Sequence, residues 1–276
     1  MQLVQLQQAQ QRFRERGIGL AAVSYDTTSI LKDFAERQGI TFPLLADPRS
    51  EIIRQYNVLN AEAEGMSRGM AHPGFVYVDS RGRVKERFFE AAYTDRYTAN
   101  NLIGKLFPEL MEEATRKVEA PLLSVTLKQS DRIAAPGSRV TLVAELNLGR
   151  DLHVYAPGVK GYIPIELKVS PSAEIKIDDT IYPKAKVLFL RAINERVPVF
   201  EGKFRLAQDI TVTAERSFSA SLGQGKPITV NGELKYQACD SKTCFRPASV
   251  PVSWEVQVVP LDRKRSPVTI QHHQSQ

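Results

Sequence analysis

Both cysteines of the 276-residue chain fall in one short stretch, YQACDSKTCFRP, as Cys239 and Cys244. Two sulfurs that close together can be a structural staple, half of a metal site or a redox-active pair. As a staple the bond would do little, since closing a loop of six residues is worth about 2 kcal/mol of chain entropy, against about 4.7 kcal/mol for a 100-residue loop. A structural zinc site wants a full tetrahedral ligand set. No second Cys-x-x-Cys accompanies the pair, and His153 is a single nearby candidate, which is not enough. A redox pair needs one sulfur that can be attacked and a second that resolves the mixed disulfide. Strand-forming ELKYQAC and the segment starting CFRPASV flank a polar DSKT turn. That arrangement sets the cysteines opposite each other across a hairpin, with Cα atoms about 5–6 Å apart, within reach of a disulfide. The redox pair is the favoured reading, and an inert structural disulfide is its alternative. Asp240 and Lys242 in the turn would tune a thiolate in opposite directions.

Composition narrows the rest. Hydrophobic residues at 42% and charged residues at 25% are those of an ordinary globular protein, long enough for two domains. The formal charge is +6, but the basic residues are interspersed with acidic ones and form no basic stripe with aromatics, so a nucleic-acid groove is not expected. The longest apolar runs, such as GLAAV and KVLFL, are far too short to span a bilayer. The opening MQLVQLQQAQQRFRERG has none of the features of a signal peptide, which taken alone points to the cytoplasm. The last fifteen residues, DRKRSPVTIQHHQSQ, read as a disordered tail in which His272 and His273 are solvated rather than metal-bound. No cofactor or metal is expected.

The elements that must position the cysteines come in two styles. Up to about residue 118, helical and strand patterns alternate. Leu3, Leu6, Ala9 and Phe13 form a helical stripe closed by Gly17, and IGLAAVSYD follows as a strand. Thr27, Thr28 or Ser29 can cap the helix SILKDFAERQG, which stops at Gly39; FPLLADP is extended, and Ser50 is placed to cap SEIIRQYNV. GFVYVDSRGRVKERFFE reads as a hairpin, and TDRYTANNLIGKLFPELMEEATRKV as a helical region broken at Pro108. From about residue 122 the period becomes two. LLSVTLKQ, SRVTLVAELNLG, IPIELKVS, KVLFLR, KFRLAQDITVTA, FSASLG, ELKYQAC and VPVSWEVQVV all read as strands, with no helix among them. Such spacing predicts an antiparallel β-sandwich after an α/β half, with RKVEAP as the linker. The expected division is 1–117, 122–260 and a tail at 261–276.

The first half, through VSYDTTSILKDFAERQGITFPLLADPRSEIIRQYNV, resembles the alkyl hydroperoxide reductase and thiol-specific antioxidant (peroxiredoxin) family. The resemblance implies a thioredoxin-like fold. AHPGFVYVDSRGRV is similar to the segment around that superfamily's cis-proline, which makes Pro73 the cis residue and His72 its neighbour, both candidates for binding. The family's reactive cysteine stands at the N-terminus of the first long helix, where the dipole favours a thiolate. Here Met1 already lies inside that helix and no cysteine precedes Cys239. The expectation is a fragment or a misplaced start, such as one after a selenocysteine codon read as stop, or else a catalytically silent scaffold. Peroxidase activity is not expected of the chain as it stands.

The second half, through LHVYAPGVKGYIPIEL and GELKYQACDSKTCFRPASVPVSW, resembles the immunoglobulin-like N-terminal domain of the DsbD-type thiol–disulfide interchange proteins. The resemblance places Cys239 and Cys244 on that family's two cysteines and Pro247 on its exit, though FRP keeps one of two usual prolines. It implies aromatic residues covering the pair, matched by Tyr155 and Tyr162, and attack on the first cysteine, Cys239. It further implies electron relay to thioredoxin-like or other thiol–disulfide exchange partners, outside the cytoplasm where disulfides persist. The alternative is a non-enzymatic binding module with an inert disulfide.

Overall fold

The computed structural model describes residues 2–90, 92, 94–108, 116–190, 194–261, 264 and 266–271. His272 and His273 lie outside them. Two units are present, Met1–Leu102 with Leu261–Gln276, and Ile103–Pro260.

In the first unit, α1 (Gln2–Arg14) buries Leu6, Ala9, Gln10 and Phe13, the i, i+3, i+4, i+7 stripe of a one-faced helix. β1 (Ala22–Ser24) pairs in parallel with β2 (Leu44–Ala46). Between them α2 (Thr28–Gln38) ends at Gly39, whose φ of 65° lets its N–H return to the carbonyl of Ala35. The cap of α3 (Glu51–Gln55) differs from the expectation. Ser50 has φ 55° and its hydroxyl donates to the Gly69 carbonyl at 2.6 Å. The carboxylate of Asp47 takes over, accepting the N–H groups of Glu51 at 2.8 Å and Ile53 at 2.9 Å. β3 (Gly74–Val78) and β4 (Val84–Phe89) form the expected hairpin, its turn closed by Asp79 accepting from the backbone of Arg81 and Arg83. Among the described residues no peptide bond is cis, so Pro73 is trans, against the expectation from the peroxiredoxin resemblance. Within the stretch read as a tail, Ser266 donates to Asp33 of α2 at 2.8 Å. β5 (Arg96–Tyr97) and α4 (Ala99–Leu106) are what the described residues show of the long helical region.

The second unit is the β-sandwich. RKVEA is not a linker: it forms β6 (Arg116–Ala120), an edge strand paired with β7 (Leu123–Gln129), with Val118 and Ala120 turned toward the core. Proline and three charges disguised that period. β8 (Ile133–Ala134), β9 (Ser138–Leu148), β10 (His153–Tyr155), β11 (Glu166–Val169), β12 (Ile175–Ile181), β13 (Lys186–Leu190), β14 (Glu195–Glu201) and β15 (Lys203–Val212) follow. Next comes α5 (Arg216–Ser221), where FSASLG had read as a strand. Phe218 and Leu222, four apart, pack on the sandwich core together, which a helix allows and an alternating strand does not require. β16 (Lys226–Tyr236), β17 (Ala238–Cys239) and β18 (Ala248–Val258) complete the chain of strands.

One sheet has the order β12-β15-β9-β7-β6 and a second β11-β16-β18-β8. Alternate residues make the core: Val140, Leu142, Ala144, Leu146 and Leu148 of β9 face Val250, Val252, Trp254, Val256 and Val258 of β18 within one cluster. The indole of Trp254 donates to the Lys128 carbonyl at 2.9 Å, so the large ring is buried without an orphaned N–H. A third sheet, β13-β14-β10-β17, carries the cysteines on an edge.

Candidate functional site

The third sheet has two different faces. Val154 is opposite Phe200 on one side and Ala238 on the other, and all three join the main core. One residue earlier, His153 is opposite Glu201 and Cys239; one later, Tyr155 is opposite Val199. By the period of two these side chains occupy the other face. There Tyr155, Val197, Val199 and Cys239 form a separate small cluster, covered by Val159 and Tyr162 of the connection to β11.

Cys239 and Cys244 are joined by a disulfide. The N–H of Asp240 bonds the carbonyl of Thr243 and that of Phe245 the carbonyl of Ala238, both at 2.9 Å. These two bonds bracket the cysteines and make them a non-hydrogen-bonded antiparallel pair, the site where side chains come closest. Their Cα atoms are 4.0 Å apart, nearer than the spacing expected from the sequence. The turn is closed by Asp240, whose carboxylate accepts from the backbone of Lys242 at 2.7 Å and Thr243 at 2.6 Å. Those two bonds, with smaller contributions from the charges of Lys242 and His153, hold its carboxyl below the usual range. The turn is therefore fixed by an anion that serves its own backbone.

The two sulfurs have unlike surroundings. Cys239 is 1% exposed, whereas Cys244 belongs to the exposed turn. This is the reverse of what first attack at Cys239 requires. The hydroxyl of Tyr155 lies 3.8 Å from Cys244 Sγ, and since a disulfide sulfur has no proton, the phenol is the donor. Tyr162 stacks on Tyr155 with centroids 4.1 Å apart and donates to Glu195 at 2.7 Å. That bond to Glu195, with some burial, pushes the Tyr162 phenol up to about 12, so it stays a neutral donor. His153 meets the Tyr155 ring edge-on at 5.3 Å, and its Nε2 is buried without a hydrogen-bond partner. Burial holds its imidazole below the ordinary value against the opposing pull of Glu201 and Asp240.

Cys239, Cys244, Tyr155 and Tyr162 thus lie together. His72 and Pro73 belong to the other unit, where His72 lines a cavity of about 460 Å³ with Asn57, Val58, Arg87, Phe89 and Glu90. Sequence considered His153 only as a metal ligand and passed over Glu195. The alternation in HVY, placing His153 on the same face as Tyr155, was the available signal. Among the described residues no group of His, Cys, Asp or Glu is arranged to hold a metal ion.

The disulfide lies on the edge of a sandwich, half buried under tyrosines, and two family models match the chain. Residues 124–252 match the family model described as thiol:disulfide interchange protein DsbD, N-terminal, and residues 1–87 match the AhpC/TSA family. Together with the disulfide they support a thiol–disulfide redox role. No curated protein matches the chain. Among solved structures, the N-terminal periplasmic domain of ScsB from Proteus mirabilis is similar at 11% identity and a TM-score of 0.33. That likeness covers 54% of this chain and 53% of the other, so the chain spans about half the length of that structure. A family 123 glycoside hydrolase from Clostridium perfringens aligns at 13% identity and a TM-score of 0.22, over 47% of this chain and 22% of that one. Neither likeness is close enough to carry weight for function.

Proposed function

We propose that the sandwich relays electrons through the Cys239–Cys244 pair by exchange with thioredoxin-like partners. The observation that carries this reading is the asymmetry of the disulfide: one sulfur in an exposed turn on a sheet edge, the other buried behind two stacked tyrosines. A partner thiolate attacks Cys244 Sγ, forming a mixed disulfide while Cys239 leaves as the thiolate. The partner's second thiolate then attacks its own sulfur in that bond and releases Cys244. The partner dithiol becomes a disulfide and the pair takes up two electrons. Tyr155, donating to Cys244, orients the sulfur that is attacked. Such a pair works outside the cytoplasm, where the disulfide state is maintained, and the DsbD match over residues 124–252 favours that setting. No helix among the described residues is long and apolar enough to cross a membrane.

The competing reading is an inert staple in a binding module. Equilibration with glutathione separates the two. An exchange protein has a potential near those of oxidoreductases, about −120 to −270 mV, and an inert structural disulfide lies below about −300 mV. The relay reading expects the first and fails on the second.

A further inference from the structure

Opposite the buried cysteine stands a buried imidazole whose Nε2 has no hydrogen-bond partner. His153 is 3% exposed, so no bulk water serves that nitrogen. An unpaired polar atom in a folded interior is unfavourable and points to a state in which it is paired. The closed disulfide offers it nothing to accept a proton from and only a weak acceptor. An open one does, because reduction creates a thiol or thiolate at Cys239, a residue 1% exposed and cut off from solvation. Register partners in an antiparallel pair project from the same face with Cβ atoms about 4.5–5.5 Å apart. That face also holds Tyr155, which touches the His153 ring on one side and reaches Cys244 Sγ on the other.

We propose that His153 is the acid–base partner of Cys239, its Nε2 unpaired while the disulfide is closed and hydrogen-bonded to the Cys239 sulfur once it opens. This rests on the relay reading above and adds to it the fate of the leaving group. As the partner's thiolate bonds to Cys244, the Cys239–Cys244 bond breaks and its electron pair stays on Cys239 Sγ. An imidazole with its proton on Nε2 donates to that sulfur. One further proton, taken from solvent, is then shared by the pair as imidazolium and thiolate or as imidazole and thiol. In the reverse direction the imidazole draws the proton off Cys239, and the thiolate re-forms the bond to Cys244.

The titratable and charged groups facing His153 come from every neighbour. Cys239 and Asp240 belong to β17 and its turn, Glu201 to β14 and Tyr155 to β10 itself; Lys186 of β13 sits 3.4 Å from Glu201. The two carboxylates favour imidazolium, and burial outweighs them while the disulfide is closed. A thiolate at Cys239 adds a third negative charge, so opening the bond raises the imidazole's affinity for a proton.

The test uses the full chain. His153 is titrated by NMR in the oxidised wild type and in Cys244→Ser, which holds a free Cys239 thiol without any redox partner. The imidazole is expected to titrate at higher pH in the variant; the same midpoint in both overturns the proposal. Reduction by glutathione is then followed against pH in wild type, His153→Phe and His153→Gln. His153→Phe is expected to react about tenfold more slowly or worse. His153→Gln keeps a donor but cannot bind a proton, so it retains part of the rate and loses the pH dependence. Unchanged rates and profiles in both variants overturn the proposal as well. A wild-type disulfide that glutathione never opens contradicts the relay reading, while the Cys244→Ser titration still decides for His153.

Discussion

The sandwich and the α/β unit use the same apolar residue types to opposite effect. In β18 every second residue from Val250 to Val258 is buried, and Trp254 is 1% exposed. Among the described residues of the α/β unit, β1 pairs with β2 alone and β3 with β4 alone, and Val23 of β1 and Leu45 of β2 are 43% and 50% exposed. Val78 and Val84, on the hairpin, are 41% and 49% exposed. Its buried apolar side chains come largely from helices, such as Leu6, Ala9 and Phe13 of α1, Leu31 of α2 and Ile53 of α3. A two-stranded sheet is marginal without something to pack on. The contrast shows where chemistry can be held to a fixed geometry. Both cysteines and their tyrosines sit on the unit with the complete core, which locks the rotamers around a reactive bond.

The largest effect should come from attacking that core. Leu142 is fully buried in β9, so Leu142→Ala is expected to cost about 2–5 kcal/mol. The single tryptophan, Trp254, reports unfolding of the sandwich alone by its fluorescence. Leu45→Ala, at a half-exposed strand position, should leave the same transition within about 0.5 kcal/mol. Equal losses from both substitutions would erase the contrast between the units.

A smaller effect is expected with acid. His153 in the oxidised protein is depressed below its ordinary 6.5, chiefly by burial. The unfolded chain therefore takes up a proton that the folded chain refuses. This contribution is complete above pH 6.5 and is lost as pH falls below it. The melting temperature of the oxidised wild type should drop more steeply between pH 6.5 and about pH 5 than that of His153→Phe. Parallel curves would show that His153 is not held neutral.

The smallest change concerns the cover over the disulfide. Tyr162 is pushed up to about 12, first by its hydrogen bond to Glu195. In Glu195→Gln a spectrophotometric titration should find one tyrosine moved back toward 10.0, the ordinary value. An unmoved titration would mean that Glu195 does not anchor the tyrosine stack.

Much of this was legible because it is local. Alternation gave most strands of the sandwich, Gly39 ended α2 as a left-handed cap, and the DSRG turn formed the hairpin. The failures came where a tertiary partner overrides the local pattern. β6 looked like a linker because only its pairing with β7 makes RKVEA a strand. α5 looked like a strand because period two and an i, i+4 pair coincide over six residues. Asp47 displaced Ser50 as a cap because Gly69, far along the chain, takes the serine hydroxyl. At the site, the spacing of Cys239 and Cys244 put a disulfide within reach, while Tyr155 and Tyr162 came from the family resemblance and not from the pattern of residues. Which sulfur is buried could not be read, because it depends on Cys239 alone pairing with β10.

The most direct test of the relay is to trap its intermediate. Cys239→Ser leaves Cys244 as the free sulfur in the exposed turn, and Cys244→Ser leaves Cys239 in the buried one. Each variant is mixed with a disulfide-activated thioredoxin that lacks its resolving cysteine, and the products are separated without reductant. The account predicts a covalent complex with Cys239→Ser and little or none with Cys244→Ser. Failure of both variants to form a complex, with unreactive wild-type protein, would contradict it and leave the bond a staple.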